Sequence, residues 1–173
     1  MKSLTLLVIT LATVAACTSN EPPASVQQTF FAQFGAVQSL QAQAVQPHSS
    51  LAPANGTVDY GGACPGGGTF ASNGTYNGDG TVTNATFDLG MTFTSCSAGG
   101  VTADGTWHWS ASTTATGATF TVTADVTVTG PQASGHFTDD LTMSFDLAAR
   151  TFSITGSIDV DNKSYDVDWS YSG

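Results

Sequence analysis

Positive charge is almost absent from this sequence. Three Lys and Arg residues stand against 13 Asp and Glu, giving a formal net charge of −10. Without a basic patch to neutralise phosphates, nucleic-acid binding is excluded as a main function. An acidic surface is also repelled by anionic lipid headgroups, so any membrane attachment has to come from something other than surface charge.

Long hydrophobic runs are lacking as well. A single apolar segment, residues 4–11, follows Lys2 at the N-terminus and is too short for a membrane-spanning helix. Small residues then lead up to a cysteine in the sequence Val14-Ala15-Ala16-Cys17. A charged start, a short apolar stretch and a small-residue site are typical of a secretory signal peptide, so the sequence predicts export.

The segment ending at Cys17 resembles the lipobox of bacterial lipoproteins. This resemblance implies cleavage after residue 16, acylation of Cys17 and a mature chain tethered to a membrane of the bacterial cell envelope. Thr18, in place of Asp, resembles the outer-membrane sorting pattern of such proteins. Several acyl chains are needed because one holds only weakly. The alternative is an ordinary signal peptide with an incidental cysteine.

Cysteine is scarce, with only three in the chain. If Cys17 carries lipid, Cys64 and Cys96 remain as an even pair in an oxidising compartment, which favours a disulfide. Such a bridge stabilises a fold by about 3–4 kcal/mol in the chain-entropy model. Two buried free thiols are the alternative.

Residues 17–56 differ in composition from the rest of the mature chain and are interpreted as a tether. Thr18 to Pro23 and Pro47 to Gly56 have linker composition, and between them apolar residues recur every three or four positions. These residues are Val26, Phe30, Phe34, Val37, Leu40 and Ala44. The spacing predicts an amphipathic helix over residues 25–44 that packs on the sheet. Its polar side carries Gln and no Lys or Arg, which argues against a position on the membrane surface.

From residue 57 to 173 the hydrophobic period changes to two. Apolar and polar residues alternate most strictly over residues 119–129, 140–147, 152–160 and 164–171. Such alternation predicts strands with one buried and one solvated face. Short Gly-, Asn- and Pro-containing turns separate the strands. The expected fold is therefore an all-β antiparallel meander, rolled into a barrel or curved sheet and preceded by a short amphipathic helix.

The last two strands allow a more detailed prediction. A turn at Asn162-Lys163, or over the four residues Asp161 to Ser164, would place Trp169 opposite Gly156, where an aromatic ring covers a strand glycine. It would also place Asp159 opposite Asp166. Adjacent carboxylates suggest a calcium site. A solvated acidic face that keeps the protein soluble is the favoured interpretation.

Sequence motifs for catalysis are missing. The chain has no Gly-x-Ser-x-Gly elbow, Cys–His pair or phosphate-binding loop, and His48, His108 and His136 lack metal-ligand spacing. Nothing in the sequence singles out a catalytic pair among His136, Asp139 and Asp140. We therefore expect no enzymatic activity, no metal and no cofactor.

Aromatic residues dominate the predicted buried face. They line an apolar ligand cavity in some barrels and half-barrels, but more often they form an ordinary core. The preferred function is a lipid-anchored, non-catalytic envelope protein with a binding or structural role, whose partner is a small apolar ligand or another envelope protein. The alternative is an envelope enzyme of hydrolase type.

Overall fold

The computed structural model describes residues 20–45, 55–78 and 84–172. The predicted signal peptide, Cys17 and positions 47–54 of the second predicted linker lie outside the described residues. Asn55 and Gly56 were expected in that linker. They are instead the first residues of a strand, where they pair with the next strand along the chain.

One helix and one antiparallel sheet make up the described structure. The helix, α1, spans Ala24–Val45. The strands are β1 Asn55–Ala63, β2 Thr69–Gly78, β3 Ala85–Ala98, β4 Val101–Thr114, β5 Gly117–Thr129, β6 Gly135–Asp146, β7 Thr151–Val160 and β8 Lys163–Ser172. Each strand pairs with the next in a single eight-stranded meander. No pairing joins β1 to β8 within the described ranges, so the sheet is open and curved. The predicted fold class is confirmed.

The helix packs on one face of the sheet, which we call the inward face. Its first turn follows Pro22-Pro23, and the carbonyl oxygen of Pro23 accepts hydrogen bonds from the backbone N–H groups of Val26 and Gln27 at 2.9 and 3.0 Å. Phe30, Val37 and Leu40 of the predicted apolar stripe are fully buried. The predicted helix and its packing on the sheet are both confirmed.

Cys64 and Cys96 form the predicted disulfide. Both side chains are buried, and the bridge joins the end of β1 to β3. Next to it the β3–β4 ladder shifts register between Phe93 and Cys96. Ser95 lies in this bulge with φ of 47°, and its backbone N–H donates to Asp104 Oδ1 at 2.6 Å.

The last hairpin turns at Asp161-Asn162, so both predicted turns, at Asn162-Lys163 and over the four residues Asp161 to Ser164, are wrong. Asp161 and Asn162 have φ of 53° and 63°, the left-handed conformation of a two-residue type I′ turn. Because Asp and Asn tolerate this conformation, a two-residue turn forms at this position without glycine. The pairing shifts by two positions, which keeps each side chain on its predicted face.

The shift of register changes the partners of Trp169 and of the acidic residues. Trp169 pairs with Ile154, not with Gly156. Asp159 pairs with Ser164, and Asp166 pairs with Ser157, so the expected carboxylate pair across the ladder does not form. The geometric basis for a calcium site in this hairpin is therefore removed.

Gly156 has a different role from the one predicted. It adopts φ of 139°, a conformation that L side chains rarely adopt. A β-carbon at this position would collide with the backbone oxygen of Asp140 on β6. Glycine is therefore required by the close approach of β6, and not by a covering tryptophan.

Candidate functional site

A line of phenylalanine rings crosses the inward face of the sheet. This aromatic row consists of Phe87, Phe120, Phe145 and Phe152, from β3, β5, β6 and β7. Neighbouring ring centroids are 6.5, 5.9 and 4.6 Å apart, within the range of favourable ring contacts. All four rings are only half-buried, which gives the sheet an apolar strip that is partly accessible to solvent.

Small and apolar neighbours hold the row together. Ala111 of β4 pairs with both Phe87 and Phe120, and its short side chain lets these two rings meet across the intervening strand. The Trp109 ring lies 6.3 Å from that of Phe87 and is half-buried. Met143, also half-buried, pairs with Phe120. The strip is therefore a continuous apolar surface.

Another part of the inward face lies beneath α1. There Phe34 packs against Trp107 with ring centroids 4.8 Å apart, and Phe30 packs against Phe137 at 5.7 Å. Trp107 and Phe137 are 1% and 0% exposed, in contrast to the half-buried aromatic row. The predicted aromatic face thus divides into a closed core under the helix and a more accessible strip.

Asp139 is the least expected residue of the closed core. It lies between Phe137 and Leu141 on β6, is 6% exposed, and neither carboxylate oxygen has a hydrogen-bond partner among the described residues. Burial raises its pKa to about 7; the polar backbone of Ala124 offsets part of this rise, and the charge of Asp140 adds to it. The sequence could have indicated this burial, because Asp139 occupies an inward position of the alternating pattern, between Phe137 and Leu141.

Other buried polar atoms, on α1 and on the inward face of the sheet, also lack partners among the described residues. Gln33 is fully buried, and although its Nε2 donates to the Ser134 carbonyl oxygen at 3.1 Å, its Oε1 has no partner. Gln41 Nε2 and the indole N–H groups of Trp107 and Trp109 are likewise unpaired within the described residues. Each such group lowers the free energy of unfolding, so the contact between α1 and the sheet is less stable than its apolar residues suggest.

His108 and His136 lie on the opposite, polar face of the sheet, and His48 lies outside the described residues. His108 Nε2 is 3.1 Å from Asp88 Oδ1, and His136 Nε2 is 2.8 Å from Asp125 Oδ1. Both pairs are largely exposed. Because Asp139 points to the inward face, the structure does not bring His136 and Asp139 together.

Metal ligands do not converge within the part of the chain that the structure describes. No group of three or more His, Cys, Asp or Glu side chains there has the arrangement needed to hold a metal ion. Asp159 is engaged in another way, since its Oδ2 accepts a hydrogen bond from Thr138 Oγ1 at 3.0 Å.

No described helix combines the length and apolar character needed to cross a membrane. Comparison with protein-family models, with curated proteins and with solved structures finds no match for this chain. The chemistry of the inward face is therefore the basis for a functional proposal.

Proposed function

We propose that this protein is a lipid-anchored, non-catalytic component of a bacterial cell envelope that binds an apolar ligand on its aromatic row. The observation that carries the proposal is the continuous contact of four half-buried phenylalanine rings on a sheet face where Trp107 and Phe137 are instead closed under a helix. A strip of this kind binds acyl chains or other apolar groups through burial of apolar area.

The anchor follows from the resemblance of residues 14–17 to a lipobox. The protein has little positive charge with which to bind an anionic membrane, since the chain after residue 16 carries only Arg150 and Lys163 as cations. Acyl chains on Cys17 would supply the membrane affinity that the surface lacks. The disulfide is consistent with an oxidising compartment outside the cytoplasm.

Replacing the anchoring residue tests the attachment. Cys17→Ser is expected to release the protein from the membrane fraction or to leave it uncleaved, because the side chain that would receive lipid is gone. Fractionation of the envelope, with mass spectrometry of the N-terminal peptide, measures both outcomes. Thr18→Ser, which keeps the cysteine, is the matched control and should stay membrane-bound. A Cys17→Ser protein that is processed and retained like the wild type would refute the lipoprotein assignment.

Binding by the aromatic row is tested with a neutral apolar fluorophore such as N-phenyl-1-naphthylamine. Phe120→Ser removes one of the two inner rings of the row, and we expect affinity to fall about tenfold, since an aromatic contact contributes roughly 1–2 kcal/mol. Thr121→Ser changes the neighbouring residue on the polar face and should bind as the wild type does.

Far-UV circular dichroism on both variants verifies that they are folded before affinities are compared. Equal affinities for wild type, Phe120→Ser and Thr121→Ser would show that the aromatic row is not the binding site.

A further inference from the structure

The exposed large hydrophobic side chains of the described residues lie towards one corner of the molecule. They are Phe31, Leu147 and Tyr171, which are 39%, 70% and 64% exposed. Tyr171 lies near the end of β8, and Leu147 begins the neighbouring β6–β7 turn. Phe31 of α1 lies against the half-buried Trp169 of β8, with ring centroids 5.8 Å apart. We call Phe31, Leu147, Trp169 and Tyr171 the corner patch.

The chain that would carry the lipid attaches to the same edge of the sheet. The carbonyl oxygen of Asn20 accepts a hydrogen bond from the backbone N–H of Asp166 on β8 at 3.1 Å, and Asn20 Nδ2 donates to Asp166 Oδ2 at 3.3 Å. The next residue, Glu21, accepts a hydrogen bond from Trp169 Nε1 at 3.3 Å. The first residues of the described chain are thus fixed beside the corner patch.

Covalent geometry then limits how far the anchor can lie from this edge. Cys17 precedes Asn20 by three residues, so their Cα atoms are at most about 11 Å apart. Tyr171 lies five residues beyond Asp166 on β8, about 17 Å along the strand. An acylated Cys17 would therefore hold the corner patch close to the bilayer surface.

The residues of the corner also have the chemistry of a membrane interface. Tyr and Trp combine an apolar ring with a polar tip and are enriched where hydrocarbon meets headgroups. Arg150, one of the two cations remaining after residue 16, is exposed in the same β6–β7 turn as Leu147. Its guanidinium suits a lipid phosphate. Because the chain is otherwise strongly acidic, anionic lipids would repel it, and the membrane surface that suits this corner is one of zwitterionic lipids.

From this placement we infer that the corner patch docks on the zwitterionic lipid interface of the membrane that holds the anchor. The inference rests on the proposed lipidation of Cys17 and adds an orientation to it. Tyr171 pairs with Phe152, the last ring of the aromatic row, so the row runs directly into the docked corner. An acyl chain of a bilayer lipid is then the apolar ligand nearest to the row.

Quenching of tryptophan fluorescence by brominated lipids tests this orientation. The lipidated, full-length mature protein is reconstituted in phosphatidylcholine vesicles with or without bromine on the acyl chains. We expect quenching in the brominated vesicles. The comparison is made in a Trp109→Phe background, because Trp109 lies beside the aromatic row and an acyl chain bound there would quench it. In that background we expect Trp169→Phe to lower the quenching by about half or more, since the remaining Trp107 is buried under α1.

Two further variants make the result specific. Leu147→Ser/Tyr171→Ser weakens the patch without touching a tryptophan and should reduce quenching while the protein stays vesicle-bound. Thr92→Ser/Thr106→Ser, at exposed positions of the polar face, should be quenched like the wild type.

The outcomes separate this inference from the proposed function. Lipidated protein that is vesicle-bound but unquenched, or quenched equally in Trp169→Phe, would overturn the docked orientation and leave the anchor intact. An unmodified Cys17 in the N-terminal peptide would overturn the proposed function and this inference together.

Discussion

Asp139→Asn is expected to stabilise the protein by about 4 kcal/mol at pH 8 and to have little effect at pH 4. The carboxyl is 6% exposed and has no hydrogen-bond partner among the described residues. Burial raises its pKa from 3.8 to about 7. Its charged form is therefore costly in the folded state, whereas an amide of the same shape carries no charge at any pH.

The sign of the pH dependence follows from proton binding. Between pH 4 and pH 7 the folded protein keeps the Asp139 proton and the unfolded chain loses it, so the wild type loses stability as pH rises through this interval. Above pH 7 both states are ionised and this contribution is constant. In Asp139→Asn this dependence of the unfolding free energy on pH is absent. The difference in unfolding free energy between the two proteins at each pH therefore reports on Asp139 alone, because all other titrating groups are common to both.

Denaturant unfolding at pH 4, 6 and 8 measures the effect, and Asp168→Asn is the matched control. Asp168 is exposed on the polar face and is not one of the groups that shift the pKa of Asp139, so its amide should change stability by no more than about 0.5 kcal/mol. The helix α1 contains no ionisable residue. The residues that pair with Asp139 on the two neighbouring strands are Ala124 and Ile158, which carry no charge either. If Asp139→Asn raised the free energy of unfolding equally at pH 4 and pH 8, the raised pKa of Asp139 would be contradicted.

The fold was accessible from the sequence because its signals are periodic and local. Alternation along residues such as Phe120 and Val122 defines the strands, and the three- or four-residue spacing of Phe30, Val37 and Leu40 defines the helix. The disulfide followed from the number of cysteines and the predicted compartment. None of these inferences requires knowledge of which strands meet.

The register of the last hairpin and the buried acid were harder to predict. Moving the strand pairing by two residues leaves every side chain on the same face of the sheet. The alternation of polar and apolar residues therefore could not distinguish the predicted turns from the one that forms. The decisive feature was the left-handed conformation of Asp161 and Asn162, which composition alone does not fix. Asp139 stands on the inward side of the alternation, but only the packing of the folded protein shows that it is 6% exposed.

Division of the aromatic face could not be predicted either. The sequence gives Trp107 and Phe120 the same inward orientation. Their difference in burial arises from the position of α1, whose Phe34 packs on Trp107. Where a helix crosses a sheet depends on packing between elements distant in sequence, and that is why the candidate site required the structure.

Trp107→Ala is expected to cost about 3–5 kcal/mol of unfolding free energy, the range for removing a large buried aromatic side chain. Trp107 is 1% exposed and its ring lies within 4.8 Å of Phe34, 6.2 Å of Phe137 and 6.5 Å of Trp109, measured between centroids. The substitution opens a cavity between α1 and the sheet. Because the helix interface already contains unpaired Gln33 and Gln41 atoms, we expect α1 to lose protection from hydrogen exchange before the strands do.

Two other tryptophan variants show whether burial under the helix is the cause. Trp107→Phe keeps most of the ring and removes the unpaired indole N–H, so its cost should be well below that of Trp107→Ala. Trp169→Ala removes a ring that is only half-buried at the edge strand, and it should also cost less. Denaturant unfolding of the three variants at one pH gives the comparison. If Trp107→Ala unfolded at the same denaturant concentration as Trp169→Ala, the closed core beneath α1 would not be the main stabilising contact between helix and sheet.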